Sequence, residues 1–347
     1  MEKGIDTFLF YLGHPAHYHN ISMVIKQLSH KGFRVVLVAR GKDVLFDLLE
    51  GLPYEIIYLK PRKGKNKLSL VKTILHRELI LFRLALKYKP KMLIGTDIVI
   101  AHIGKLLNIP SIILNEDDAK EVPFLAKFGF KYATAVFSPD SCDILPYTNK
   151  VGYQGYHELA YLHPNYFSPD KTKVSSLIES GDKYFILRFA ELTAHHDDGK
   201  NGIDLSIAKK LIAQLTPFGR VYITSERKLE TELEPYRIAI KPTDIHHALY
   251  FAEMYIGDSQ TMAAEAAVLG TPSIRFNDFV GKLGYLEELE HKYGLTFGIS
   301  TDNSSLLFTR VEELLRNKDL KKDFQQRKEQ MLKECVDVAH FCGMPAR

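Results

Sequence analysis

Apolar residues in this chain fall into short unbroken runs separated by longer stretches with a 3.6-residue period, the pattern of buried strands alternating with amphipathic helices. Ile5–Leu12 is the first β-prone run, and Ile21, Val24, Ile25 and Leu28 then share one helical face until Gly32 stops it. Phe33–Ala39 reads as a strand covered on both sides. Leu45–Leu49, Tyr54–Leu59 and the long apolar helix Leu68–Tyr88 continue the alternation, with further strands at Lys91–Gly95 and Ile109–Leu114 and the same pattern once more at Val136–Asp140. Periodicity then lapses in the Tyr-, Pro- and Gly-rich stretch Tyr153–Pro169. A second series opens at Tyr184–Phe189 and runs through helix Ile203–Leu215 and strands Arg220–Thr224 and Ile238–Ile240. A helix capped by Thr243 follows, then strand, turn, helix, turn and strand over Met254–Phe276. Gly281–Gly284 reads as a loop, and charged helices from Ser304 to Val338 close the chain. Repeated strand–helix alternation predicts an α/β protein with two Rossmann-like domains, each a parallel sheet, facing a central cleft. The boundaries expected are residues 1–155 and 183–347, joined by a linker over 156–182, with the last helix free to pack back on the N-terminal domain.

Composition allows this. The chain has 347 residues and 46% hydrophobic content, enough for two cores of ordinary size. Three cysteines, Cys142, Cys335 and Cys342, show neither disulfide nor metal spacing, which points to a reduced, cytoplasmic setting. No apolar run approaches the roughly 20 residues needed to cross a bilayer. The formal charge of +4 is unevenly spread, since Lys60–Lys91 holds eleven Lys or Arg and one acid, Glu78. A basic loop beside an apolar helix is either a solvated face or a place for anionic lipid or a lipid-phosphate acceptor, so peripheral membrane contact is an expectation tied to Lys60–Lys91. Nucleic acid is not expected, because the block lacks interleaved aromatics and no recognition motif accompanies it.

In parallel α/β sheets ligands sit beyond the carboxyl ends of the strands, so chemistry is sought there. The first strand ends in Gly13-His-Pro-Ala-His-Tyr-His19 in place of G-x-G-x-x-G, which argues against a dinucleotide cofactor. His14 and His17 are candidates for a base near working pH, with helix capping and a metal site as the alternatives. No carboxylate or cysteine lies at ligand spacing near them, so no metal is expected. Asp97 and Glu116, each just past a strand, are candidates for paired acid–base carboxylates or for helix caps. Arg188 ends the first strand of the second series and suits a bidentate diphosphate clamp, or else an ion pair with Asp197 or Asp198. His195 lies in the loop after that strand, Ser225 ends a strand at cleft level, and His246 begins a helix. In the last unit, Asp258 or Ser259 is placed to cap a helix starting near Gln260, and Gly270 and Pro272 end it. Asp258, Ser259, Gln260 and Thr261 therefore stand where helix amides meet an anion, and Glu265 lies one turn inward of Thr261, suited to a ribose diol.

That last stretch resembles the nucleotide-sugar signature of the GT-B superfamily, with Thr261, Glu265, Gly270 and Pro272 at the matching positions. The whole chain is similar to a domain-of-unknown-function family assigned to that superfamily. The resemblance implies a metal- and cofactor-independent glycosyltransferase of surface polysaccharide or glycoconjugate synthesis, with a UDP-sugar as substrate on the C-terminal domain and a glycan or lipid-linked acceptor on the N-terminal one. It carries the base role to His14 or His17 without choosing, and places His246 near the nucleotide base. An alternative resemblance is to non-hydrolysing UDP-N-acetylglucosamine 2-epimerases, which Asp97, Glu116 and His195 or His196 roughly match. That family's Arg-x-x-Thr-Glu-Arg-Pro-Glu run is missing, Arg275-Phe-Asn-Asp-Phe279 standing in its place. A non-catalytic nucleotide-sugar-binding protein is the third reading.

Overall fold

The computed structural model describes residues 5–40, 43–59, 67–178, 183–190 and 202–343. The chain divides into two compact units, Met1–Tyr161 with Val336–Arg347, and Leu162–Cys335.

In the first unit seven parallel strands form one sheet in the order β3-β2-β1-β4-β5-β6-β7. They are β1 (Thr7–Leu12), β2 (Arg34–Arg40), β3 (Glu55–Leu59), β4 (Met92–Gly95), β5 (Ser111–Leu114), β6 (Ala135–Pro139) and β7 (Lys150–Tyr153). Side chains alternate between two faces, and both faces are covered. Leu9, Tyr11, Val36 and Val38 join the core beneath helices Lys67–Tyr88 and Ile98–Leu107. Phe10, Leu12, Leu37 and Ala39 join the core beneath helix Pro15–His30. The final helix Val338–Gly343 packs on Pro15–His30, and the Val336 N–H donates to the Gln154 carbonyl at 2.8 Å. Within the stretch expected as a linker, Tyr156 and Leu159 are wholly buried in the first unit, and Leu162 onward belongs to the second.

The second unit carries five parallel strands in the order β12-β11-β10-β8-β9. These are β8 (Tyr184–Phe189), β9 (Arg220–Ser225), β10 (Met254–Gly257), β11 (Ser273–Phe276) and β12 (Thr296–Ile299). Both sheets are doubly wound. The strand order reverses beside β1 and β4 in the first and beside β8 and β10 in the second, and these reversals open the crevices where such sheets bind ligands.

Local expectations failed in three places. Ile238–Ile240 forms no strand; among the described residues the pairing there is a single bridge between Ile223 and Arg237. Thr243 does not cap helix Ile245–Phe251, because Thr243 lies inside the one-turn helix Pro242–Asp244 and Asp244 holds the cap position without a side-chain bond. Gly284 opens a helix, Gly284–His291, rather than closing a loop. Among the described residues no helix is long and apolar enough to cross a membrane.

Candidate functional site

At the reversal of the second sheet, β10 delivers the chain into a turn at Gly257. A Cβ on Gly257 would lie 2.4 Å from the Tyr255 hydroxyl and 2.8 Å from the Arg188 Cβ, so β8 and β10 approach closely only without a side chain there. The Tyr255 hydroxyl donates to the Ser259 carbonyl at 3.2 Å and holds the turn's shape. Ser259 Oγ accepts the Met262 N–H at 3.4 Å, which makes Ser259 the N-cap of helix Gln260–Val268.

Asp258 faces the other way. Its Oδ1 accepts the Ala190 N–H at 2.6 Å and its Oδ2 accepts the Ile203 N–H at 3.3 Å, with only 3% of the residue exposed. Burial pushes its pKa up to about 6, against the opposing pull of the amides and of Arg227. Asp258 thus ties the chain on both sides of residues 191–201 to the turn and does not present its carboxylate to a ligand, which corrects its expected ligand role. Its withdrawal leaves no acid in the first turn of the helix. The side chains of Gln260 and Thr261, half-buried there, make no hydrogen bond among the described residues.

Glu265, one turn on from Thr261, is buried with His246, and its Oε1 lies 3.0 Å from His246 Nε2. A carboxylate at that distance requires the imidazole proton on Nε2. Two residues expected separately at the nucleotide are therefore one pair, and Phe167 packs edge-on against His246 at 6.3 Å between centroids. Removing His246 takes a charge-assisted bond from a buried carboxylate. His246→Ala should cost about 2 kcal/mol in urea denaturation, and His246→Gln, which keeps a donor, should recover part of it.

Arg188 donates from Nη1 to Thr224 Oγ1 at 2.9 Å and from Nη2 to Glu226 Oε1 at 2.5 Å. It is an ion-pair residue at the β8–β9 edge, with Glu226 as its partner; Asp197 and Asp198 lie outside the described residues, as does His195. The expected clamp role would require Arg188 to leave Glu226. Ser225 Oγ donates to the Arg227 carbonyl at 2.8 Å and closes the turn after β9. Arg275, at the end of β11, is buried against Glu287 and Glu290 at 3.3 and 2.6 Å.

In the first unit both histidines spend Nδ1 on backbone. His14 Nδ1 accepts the Ala16 N–H at 3.3 Å as the N-cap of helix Pro15–His30. His17 Nδ1 accepts the Gly13 N–H at 3.2 Å, with the Thr96 hydroxyl 2.7 Å away. Burial, with the neighbouring charges of His14, Arg40 and His157, holds His17 well below the usual histidine pKa, so it stays neutral. Neither ring offers a free lone pair in this arrangement, which speaks against either as the base.

Asp97 caps helix Ile98–Leu107 through the Val99 N–H at 3.3 Å, while its Oδ2 faces Arg40 Nη1 at 3.2 Å and Arg77 Nη1 at 3.7 Å. Held by two guanidinium groups and an amide, it is an electrostatic anchor, and the expected Asp97–Glu116 acid–base pair is corrected accordingly.

Glu116 differs. Its Oε2 lies 3.2 Å from His157 Nδ1, and a fifth of its side chain remains exposed. Asn20 Nδ2 lies 3.3 Å from the same imidazole nitrogen. Beside it Asp117 is half-buried and pushed up to about 7, first by burial and then by Glu116, Asp118 and Glu121. Sequence reasoning missed Asp117, His157, Arg40 and Arg77. Of these only Arg77 left a signal, standing alone on the stripe of helix Lys67–Tyr88 that carries Leu81, Ala85 and Tyr88 inward. Among the described residues no group of three His, Cys, Asp or Glu is arranged to hold a metal ion.

No family model matches the chain, and no curated protein matches it. Solved structures do. The chain is similar to spinosyn rhamnosyltransferase SpnG complexed with spinosyn aglycone, at TM-score 0.64 and 13% identity over 97% of this chain and 99% of that one. It is similar to the UDP-GlcNAc 2-epimerase of Methanocaldococcus jannaschii, at TM-score 0.63 and 13% identity over 94% and 99%. It is also similar to S. aureus MnaA solved with UDP, at TM-score 0.65 and 15% identity over 96% and 92%. The chain has the GT-B fold, with two Rossmann-like domains.

Proposed function

We propose that this protein is a nucleotide-sugar enzyme, and most concretely a glycosyltransferase that moves a sugar from a UDP-sugar to an acceptor hydroxyl of a surface polysaccharide or glycoconjugate. The observation that carries the reading is the turn after β10. It lies at a sheet reversal and ends in a Ser-capped helix with no acid in its first turn, and the side chains of Gln260 and Thr261 make no hydrogen bond among the described residues. Helix amides and partial positive charge there suit a diphosphate. The Glu265–His246 pair behind Thr261 supplies a fixed carboxylate edge for the ribose, and Asp258 keeps the turn rigid from beneath. On the first unit Glu116, oriented by His157, is assigned to take the proton of the acceptor hydroxyl as the glycosidic bond forms. Nucleoside diphosphate then leaves, its developing charge met by the helix amides.

A second reading, epimerisation, draws on Asp117. A carboxyl near 7 beside Glu116 is what proton removal from a sugar carbon and its return would use. Incubation with a panel of UDP- and GDP-sugars separates the two. Transfer predicts nucleotide release only when an acceptor is added, epimerisation predicts a changed sugar without one, and a panel that is neither bound nor converted contradicts both.

In the calorimeter, Thr261→Glu should weaken UDP binding about tenfold or more by setting a carboxylate against the diphosphate, without moving the melting temperature. Equal affinity for the variant and the wild type would remove the first turn from the site.

A further inference from the structure

The helix Lys67–Tyr88 has two apolar faces, and the fold uses one of them. Arg77, Leu81, Ala85 and Tyr88 are buried against the first sheet. On the opposite side Val71, Leu75, Leu79 and Leu86 are exposed at 52%, 58%, 48% and 53%. They recur at helical spacing as one stripe, and the charged side chains exposed along it are Lys72, Arg83 and Lys87. A solvent-facing helix surface seldom sets four aliphatic side chains in a row.

A second exposed apolar element lies close by. In the short helical segment from Pro123 to Phe130 and the turn that follows it, Phe124, Phe128 and Tyr132 are all exposed. Lys127 lies over the Phe128 ring at 5.5 Å and Lys131 over the Tyr132 ring at 5.7 Å. His102 links this segment to the helix. Its Nδ1 is 2.5 Å from Glu78 Oε1, its Nε2 is 2.6 Å from the Phe128 carbonyl oxygen, and its ring packs edge-on against Tyr132. The two apolar elements thus belong to one face of the first unit. The acids nearby are half-buried: Glu78 is bound to His102, Glu55 is held by Arg34 at 2.6 Å and lies 3.9 Å from Lys87, and Glu121 is the third.

We propose that this face docks on an anionic lipid surface. The aliphatic stripe and the aromatic rings would enter the headgroup boundary, and the lysines and arginine beside them would meet lipid phosphates. Charge decides between this occupant and a second copy of the chain. An isologous contact would set the same cations against each other, with no exposed acid on the stripe to receive them. The inference uses only residues of the first unit, so it stands or falls independently of nucleotide binding by the second.

Vesicle flotation with the full chain tests it. The protein should float with vesicles of phosphatidylcholine mixed with phosphatidylglycerol, and about tenfold less with phosphatidylcholine alone or at high salt. The exposed-site variants Leu75→Ser with Leu79→Ser, and Phe124→Ser with Phe128→Ser, should each lose most of the partitioning while keeping the wild-type melting temperature and UDP affinity. Light scattering after gel filtration supplies the rival arm. Failure to float with anionic vesicles, equal partitioning into both vesicle types, or a wild-type dimer that these variants convert to monomer would each overturn the proposal.

Discussion

Glu116→Gln should lower turnover with a donor and an acceptor about 10²- to 10⁴-fold while leaving the melting temperature and the UDP affinity unchanged. The amide has the shape of the carboxylate it replaces beside His157, so the local geometry survives, but it cannot take a proton. Asp97→Asn makes the contrast. Asp97 faces Arg40 and buried Arg77, so this loss should appear as a lower denaturation midpoint, with per-molecule activity retained in the folded fraction. If steady-state kinetics showed the reverse, with Glu116→Gln active and Asp97→Asn folded but dead, the assignment of the base would be wrong.

Asp258 should make the second unit less stable as pH rises through the weakly acidic range. Its carboxyl titrates at about 6 when folded, against an ordinary value of 3.8. Between those values the folded protein binds the proton more often than the unfolded chain does, so unfolding releases it and stability falls with increasing pH. The loss over that window is on the order of 2–3 kcal/mol and is complete above the folded pKa. Asp258→Asn has nothing to titrate there. Urea denaturation of wild type and Asp258→Asn across the window should therefore show the wild-type advantage shrinking as pH rises. A constant difference would mean that Asp258 keeps its ordinary pKa and that its burial against Ala190 and Ile203 is not as described.

Most strands were legible because each is a short apolar run closed by a polar turn, as in Phe33–Ala39 or Tyr184–Phe189. The two strands that escaped, Lys150–Tyr153 and Thr296–Ile299, are four residues long and each contains a glycine, so local composition carries little strand signal. Ile238–Ile240 misled for the opposite reason. It is a short apolar run, yet Pro235 and Pro242 flank it and it gains only the bridge next to it among the described residues. The Ser259 cap was readable because capping is chemistry between residues three positions apart. Pairings across the fold were not. Glu265 meets His246 only because helix Ile245–Phe251 packs on helix Gln260–Val268, and Glu116 meets His157 only after two further strands have been laid down. Asp97 shows the same limit. Its sequence position allows a cap or an acid, and Arg40 and Arg77, far away along the chain, settle what surrounds it.

Hydrogen–deuterium exchange of the full chain with and without saturating UDP reads the diphosphate seat at the backbone amides themselves. Protection should concentrate at Ser259–Met262, with a lesser effect around His246. Protection elsewhere that leaves this turn exchanging freely, or no change with any nucleoside diphosphate, would contradict it.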